Sequence, residues 1–304
     1  MISSSIDKSF HLSNFNLRYI PKQAITSTHI TNLNLEHNQI DSIPKSIRQL
    51  KNLVMLNLSD NIIGVIPKTI RDLDNLAYFN SNRNNVFSLS PLKHSKKLHT
   101  LEMEHNCLVD IKEIISLRNL VKINLSHNKI KEIPELISNL ENLQTLDVSY
   151  NCLKELPSNL AQITSLSTLI VSNNTLDTLP PNLSKINWKL LVVENNPLTL
   201  IPPQVVMKGT QNILKYLEDL LSGEIENKRM KLMFTGQANV GKTSLLRALR
   251  NEIGYVNRVR HFLTGKGKRT STYGIELGEW SPINSGKHFL FIFFIFYLFS
   301  FLFF

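Results

Sequence analysis

Two glycines, a lysine and a threonine stand where the chain could hold a phosphate. Residues 236–243 read Gly-Gln-Ala-Asn-Val-Gly-Lys-Thr, the pattern G-x-x-x-x-G-K-T of a phosphate-cradling loop. Glycines at 236 and 241 let the backbone wrap closely around an anion with its N–H groups turned inward. Lys242 offers a cation to the outer phosphates of a polyphosphate, and the Thr243 hydroxyl suits a Mg²⁺ held between them. The expected cradle is Gly236, Gln237, Ala238, Asn239, Val240, Gly241, Lys242, Thr243 and Ser244, with a nucleotide as its ligand. The pattern alone does not choose between adenine and guanine.

Such a loop works between a strand that presents it and a helix whose N-terminus faces the anion. Lys231–Thr235 is a short strand candidate, and SLLRALR after Thr243 reads as a helix. Upstream, Val206, Ile213, Leu214, Leu217, Leu220 and Leu221 fall at helical spacing. Pro203 suits the first turn of that helix and Gly223 lies just beyond its end. Residues 205–223 are therefore expected to cap whatever precedes them and to link it to the nucleotide segment, residues 229–284.

What precedes is periodic. The frame L-x-x-L-x-L-x-x-N-x-L recurs with its asparagine at Asn38, Asn61, Asn84, Asn106, Asn128, Asn151, Asn174 and Asn196, and a degenerate ninth copy surrounds Phe15. The alternating Leu-x-Leu implies one short strand per copy with its apolar side inward. The asparagine amide can donate and accept toward neighbouring coils of backbone. Ile-Pro or Leu-Pro pairs, such as Ile66-Pro67 and Leu156-Pro157, suit an outer segment that needs no ladder N–H. One copy cannot bury its own apolar face, so the core exists only through stacking. Residues 10–204 resemble the leucine-rich repeat family, which implies an α/β horseshoe-shaped solenoid.

The inner face of such a horseshoe is expected to carry Asn57, Ser59, Asn80, Thr100, Asn124, Ser126, Thr145 and Ser149, with an acidic spot at Glu102, Glu104 and Asp147. A protein partner on this concave face is the expected ligand. The last copies instead offer Ile170, Leu190 and Val192, an apolar end suited to a partner or to the following domain. His37, His105 and His127 each precede a repeat asparagine; no third metal ligand repeats with them, so they read as solvated loop histidines. Cys107 and Cys152, two copies apart, would lie about 10 Å from one another, too far for a disulfide. Ser81 breaks the frame where a leucine belongs.

A repeat array, then KGTQNILKYLEDLL, then KLMFTGQANVGKTSLL, is similar to the entry into the Roc GTPase domain of Roco proteins. The segment STYGIELGEW, Ser271–Trp280, is similar to the switch I segment and following strand of that Ras-like domain. The resemblance implies GTP/GDP and Mg²⁺ as cofactors, with Thr243 and Thr272 as the Mg²⁺ ligands. It implies Lys242 and Thr272 as the catalytic residues, acting through electrostatics and positioning. It also makes the basic run Arg258–Arg269 an effector loop, where the bare residues equally fit a solvated charge run. The fold expected is thus a repeat solenoid followed by the N-terminal fragment of a P-loop GTPase domain with a parallel sheet.

Beyond Trp280 the family pattern stops: D-x-x-G and N-K-x-D do not occur after the phosphate loop, and the dimerising and kinase regions common in the family are not found. A dimer is therefore expected only in a longer product. In their place residues 285–304 are strongly apolar, sixteen of them from Phe289 onward nearly pure Phe, Ile and Leu. They read either as translated intron or as a membrane anchor somewhat short of the roughly 20 residues of a full span. Composition adds 42% apolar and 19% charged residues with a net charge of +10. The excess falls after the phosphate loop, so a nucleotide accounts for it and a nucleic-acid partner is not expected. Two unpaired thiols and no apolar leader favour a reducing, cytoplasmic setting, with membrane attachment through residues 289–304 as the alternative.

Overall fold

Each Leu-x-Leu triplet becomes a three-residue strand, and each strand lies beside the one before it in the chain. The structure, a computed structural model, describes residues 8–223 in full and the backbone of residues 230–234 and 276–280. The chain divides into two units, residues 1–224 and residues 225–304.

In the first unit β1 (Ser9–His11), β2 (Asn32–Asn34), β3 (Met55–Asn57), β4 (Tyr78–Asn80), β5 (Thr100–Glu102), β6 (Lys122–Asn124), β7 (Thr145–Asp147), β8 (Thr168–Ile170) and β9 (Leu190–Val192) form one sheet in sequence order. All neighbours run parallel, and the register stacks the central residue of each strand on the next: Leu33, Leu56, Phe79, Leu101, Ile123, Leu146, Leu169 and Leu191. These side chains point inward and are buried, as the alternation of a strand requires.

The degenerate first copy supplies β1 and a short helix α1 (Lys22–Thr26). Later copies return through five-residue 3-10 turns, for example Lys45–Gln49, Lys68–Asp72 and Glu135–Asn139. Pro44, Pro67 and Pro134 stand directly before these turns with φ of −68°, −72° and −62°, the value their rings impose. Each turn buries one apolar residue, Ile47, Ile70 and Ile137 in these copies. Strands stack about 4.8 Å apart, whereas helical turns need more room, so the sheet forms the concave side of the coil.

The end of the coil is covered by α2 (Pro203–Val206) and α3 (Thr210–Ser222). The single helix expected from spacing is divided at Gly209, whose φ of 86° is open only to a residue without a Cβ penalty. Gly223 ends α3 in the left-handed conformation, with φ of 74°. Ile213 and Leu217 enter the core from α3, which packs against the outer turn Pro181–Lys185. Trp188 joins this region by donating its ring N–H to the Leu183 carbonyl at 3.0 Å.

In the second unit β10 (Met230–Phe234) and β11 (Glu276–Trp280) pair antiparallel over five residues, from Met230↔Trp280 to Phe234↔Glu276. Both strands fall on segments read as strands, the first one residue earlier than expected. The cradle residues 236–244 and the switch residue Thr272 lie outside the described residues.

Candidate protein-binding face and its edge ladder

The concave face is built from the two outward residues of each strand. One row carries Met55, Tyr78, Thr100, Lys122, Thr145, Thr168 and Leu190, and the other Asn57, Asn80, Glu102, Asn124, Asp147, Ile170 and Val192. Most of these side chains are half-buried, while Met55, Lys122 and Leu190 are exposed. The middle of the face is thus polar and its β9 end apolar, as the spacing implied.

The serines expected on this face do not line it. Ser59, Ser126 and Ser149 are buried because the chain turns inward immediately after each strand. Their hydroxyls donate to the Oδ1 atoms of Asn57, Asn124 and Asp147 at 2.9, 2.8 and 2.7 Å. Backbone N–H groups of the same serines donate to the same oxygens, so Asp147 performs the turn-closing task that asparagine performs in other copies.

The acidic spot is likewise dispersed. Glu102 is buried beside Lys122, whose Nζ lies 2.7 Å from Glu102 Oε1. The bond to this carboxylate raises the Lys122 pKa, and burial, with Glu102 second, raises that of the Tyr78 phenol. Glu104 turns to the edge of the sheet, where Asn124 donates to it at 3.4 Å and His105 Nε2 lies 3.5 Å away.

Holding both faces in register is the asparagine ladder. In Asn151 the amide nitrogen donates to the carbonyls of Leu125, Val148 and Ser149 at 2.9, 3.1 and 3.0 Å, and Oδ1 accepts the Ile130 N–H at 2.9 Å. Asn61, Asn84, Asn106, Asn128 and Asn174 repeat this pattern. Each copy therefore closes its own turn and clamps the coil before it, satisfying backbone groups that the turn would otherwise bury unpaired.

The residue directly before each asparagine has positive φ, near 50° to 57°, whatever its type: His37, Asp60, Arg83, His105, His127, Tyr150, Asn173 and Asn195. These side chains form a second ladder along one edge. His37 and Arg83 flank Asp60 at 3.7 and 4.0 Å. The rings of His105 and His127 stack at 3.9 Å, those of His127 and Tyr150 at 4.0 Å. Asn195 donates to Asn173 at 3.0 Å. His37 and His105 are exposed, as expected of loop histidines, and His127 is half-buried between its ring neighbours; carboxylates that no repeating position revealed lie beside His37 and His105. Glu104, His105 and His127 bring donor atoms within 4.8 Å of one another, as do Glu36, His37 and Asp60. Burial, then the His105 charge, lowers the His127 pKa. Cys107 and Cys152 are both free thiols.

Coil, ladder and sheet agree with a known family. Residues 78–190 match the leucine-rich repeat region family and residues 28–86 the leucine rich repeat family. The chain is a leucine-rich-repeat protein. A leucine-rich-repeat protein of Leptospira interrogans superposes with a TM-score of 0.59 at 29% identity, covering 69% of this chain and 58% of that one. A TDR receptor gives 0.58 and 29%, covering 62% and 34%. The ectodomain of the Arabidopsis thaliana receptor kinase GASSHO1/SCHENGEN3, in complex with CASPARIAN STRIP INTEGRITY FACTOR 2, gives 0.54 and 26%, covering 58% and 23%.

Among curated proteins, two of Dictyostelium discoideum are similar to parts of this repeat protein. The probable serine/threonine-protein kinase pats1 is 40% identical over 79 residues, which is 26% of this chain and 2% of that protein. The probable serine/threonine-protein kinase roco6 is 40% identical over 68 residues, 22% of this chain and 3% of that protein. The leucine-rich-repeat chain thus spans a small fraction of the length of the relatives it matches. Among the described residues no helix is long and apolar enough to cross a membrane; residues 289–304 lie outside them.

Proposed function

We propose that the concave face recruits a protein partner, and that residues 229–284 open a Roc-type GTPase switch whose state this recruitment serves. The observation that carries the first part is the open double row of strand side chains. Backbone groups of the strands are consumed within the sheet, so a ligand meets side chains only: Tyr78, Lys122 and the threonines at the centre, Leu190 and Val192 at the end. Aromatic and apolar anchors among small polar groups are the composition of a protein interface. The GASSHO1 structure with its bound factor supports the same use of the fold.

The second part is supported by the motif Gly236–Thr243 and by the resemblance of Ser271–Trp280 to a switch I segment. On this reading GTP or GDP sits with Mg²⁺ in the cradle. Lys242 supports the β- and γ-phosphates, and Thr243 and Thr272 hold the metal. Hydrolysis is slow and belongs to the complete domain, and the protein works in the cytoplasm.

Nucleotide binding to the full-length form, GTP against ATP, with Lys242→Ala as control, tests the switch. Preference for GTP that is lost in Lys242→Ala is expected, while a preference for ATP overturns the assignment. Binding unaffected by Lys242→Ala leaves a repeat scaffold with an inert cradle. Partner binding that survives both Lys122→Glu and Leu190→Asp refutes the concave face as the recruiting surface.

A further inference from the structure

We propose that Glu104, His105 and His127 form a binding site for a divalent transition-metal ion of the zinc class at the edge of the repeat array. Three features of the coil bring them together. His105 and His127 occupy the same place in adjacent copies, so coil stacking holds their rings 3.9 Å apart. Both residues have positive φ, 50° and 53°, which sets the two side chains out along the same edge. Glu104 ends in the same spot because its backbone N–H is taken by Asn82 Oδ1 at 2.7 Å while its carboxylate lies 3.5 Å from His105 Nε2.

Two imidazoles and one carboxylate are the donor set that binds Zn²⁺ with a fourth position open to water. Their donor atoms lie within 4.8 Å of one another, whereas ligands at about 2.0–2.1 Å from one ion sit nearer 3.3 Å apart. Closing that gap takes displacements of about 1 Å, small for side chains that are partly exposed. The His105 and His127 rings are stacked nearly parallel, 14° apart, so metal binding requires them to tilt toward a common point. The charges felt by His127 include the negative ones of Glu104 and Asp147 and the positive one of Arg83.

The neighbouring cluster of Glu36, His37 and Asp60 is the weaker competitor. It has one imidazole, and Arg83 lies within 4.0 Å of its Asp60 carboxylate. Imidazole-poor oxygen sets favour harder cations than zinc.

The test is calorimetric titration of the full chain with ZnCl₂, comparing wild type with His127→Phe, Glu104→Gln and His37→Phe. Phenylalanine keeps a planar ring between His105 and Tyr150, so the stack survives while the donor is lost. Equal thermal midpoints without metal establish that the variants fold. The expected result is a Zn²⁺ site in wild type and His37→Phe that weakens at least about tenfold in His127→Phe and Glu104→Gln. Equal affinity in wild type and His127→Phe overturns the proposal, as does loss of the site in His37→Phe alone.

Discussion

Lys122 Nζ and Glu102 Oε1 lie 2.7 Å apart across two neighbouring strands, the lysine exposed and the carboxylate buried. The pair governs how the concave face responds to alkali. Glu102 raises the Lys122 pKa above its ordinary 10.5, and burial raises the Tyr78 pKa above 10.0. A raised pKa means that the folded chain holds these protons more tightly than the unfolded chain. The associated stability is therefore fully present below about pH 10 and is lost as pH rises through the folded values. Thermal midpoints measured from pH 9 to pH 12 are expected to fall more steeply for wild type than for Glu102→Gln/Lys122→Met. Equal slopes refute the ion pair.

Asn151 predicts a large local cost. Replacing it with alanine removes four hydrogen bonds and leaves the buried Ile130 N–H without its partner, while the Leu125 carbonyl keeps the Asn128 amide at 3.0 Å. At about 1–3 kcal/mol for the orphaned group, a loss of about 2 kcal/mol is expected in denaturant unfolding. Asn196→Ala, at a half-buried position in the last copy, is expected to cost less. The reverse order refutes the clamp.

Phe79 and Ser81 predict a compensating pair. Both are fully buried, two residues apart on the inward side of β4 and its continuation, where the frame would place two leucines. Phenylalanine is larger and serine smaller than the leucines of the frame, and the Ser81 hydroxyl has no hydrogen-bond partner. Ser81→Leu alone is expected to overpack the copy and cost about 1–3 kcal/mol. Adding Phe79→Leu is expected to recover most of it, a coupling within the 0.5–3 kcal/mol of contacting residues. Additive effects in the four-member cycle sink the explanation.

The sequence by itself determined the coil. Its Leu-x-Leu spacing, its asparagines and its Ile-Pro pairs place every strand from β2 to β9 and the inward apolar residue at the centre of each, because a solenoid has nearest-neighbour contacts that the period carries. The strand at 230–234 was legible from the phosphate motif that follows it, and the one at 276–280 from the family resemblance of Ser271–Trp280. Side-chain partnerships between coils were not legible. That Ser59, Ser126 and Ser149 turn inward, that Lys122 cancels Glu102, and that His105, His127 and Tyr150 stack into one ladder were decided only by the tertiary structure. Residues at unlike positions of neighbouring copies, such as Glu104 and His127, lie more than twenty apart in the chain and share no period. Only the stacking distance of the coils brings them within reach.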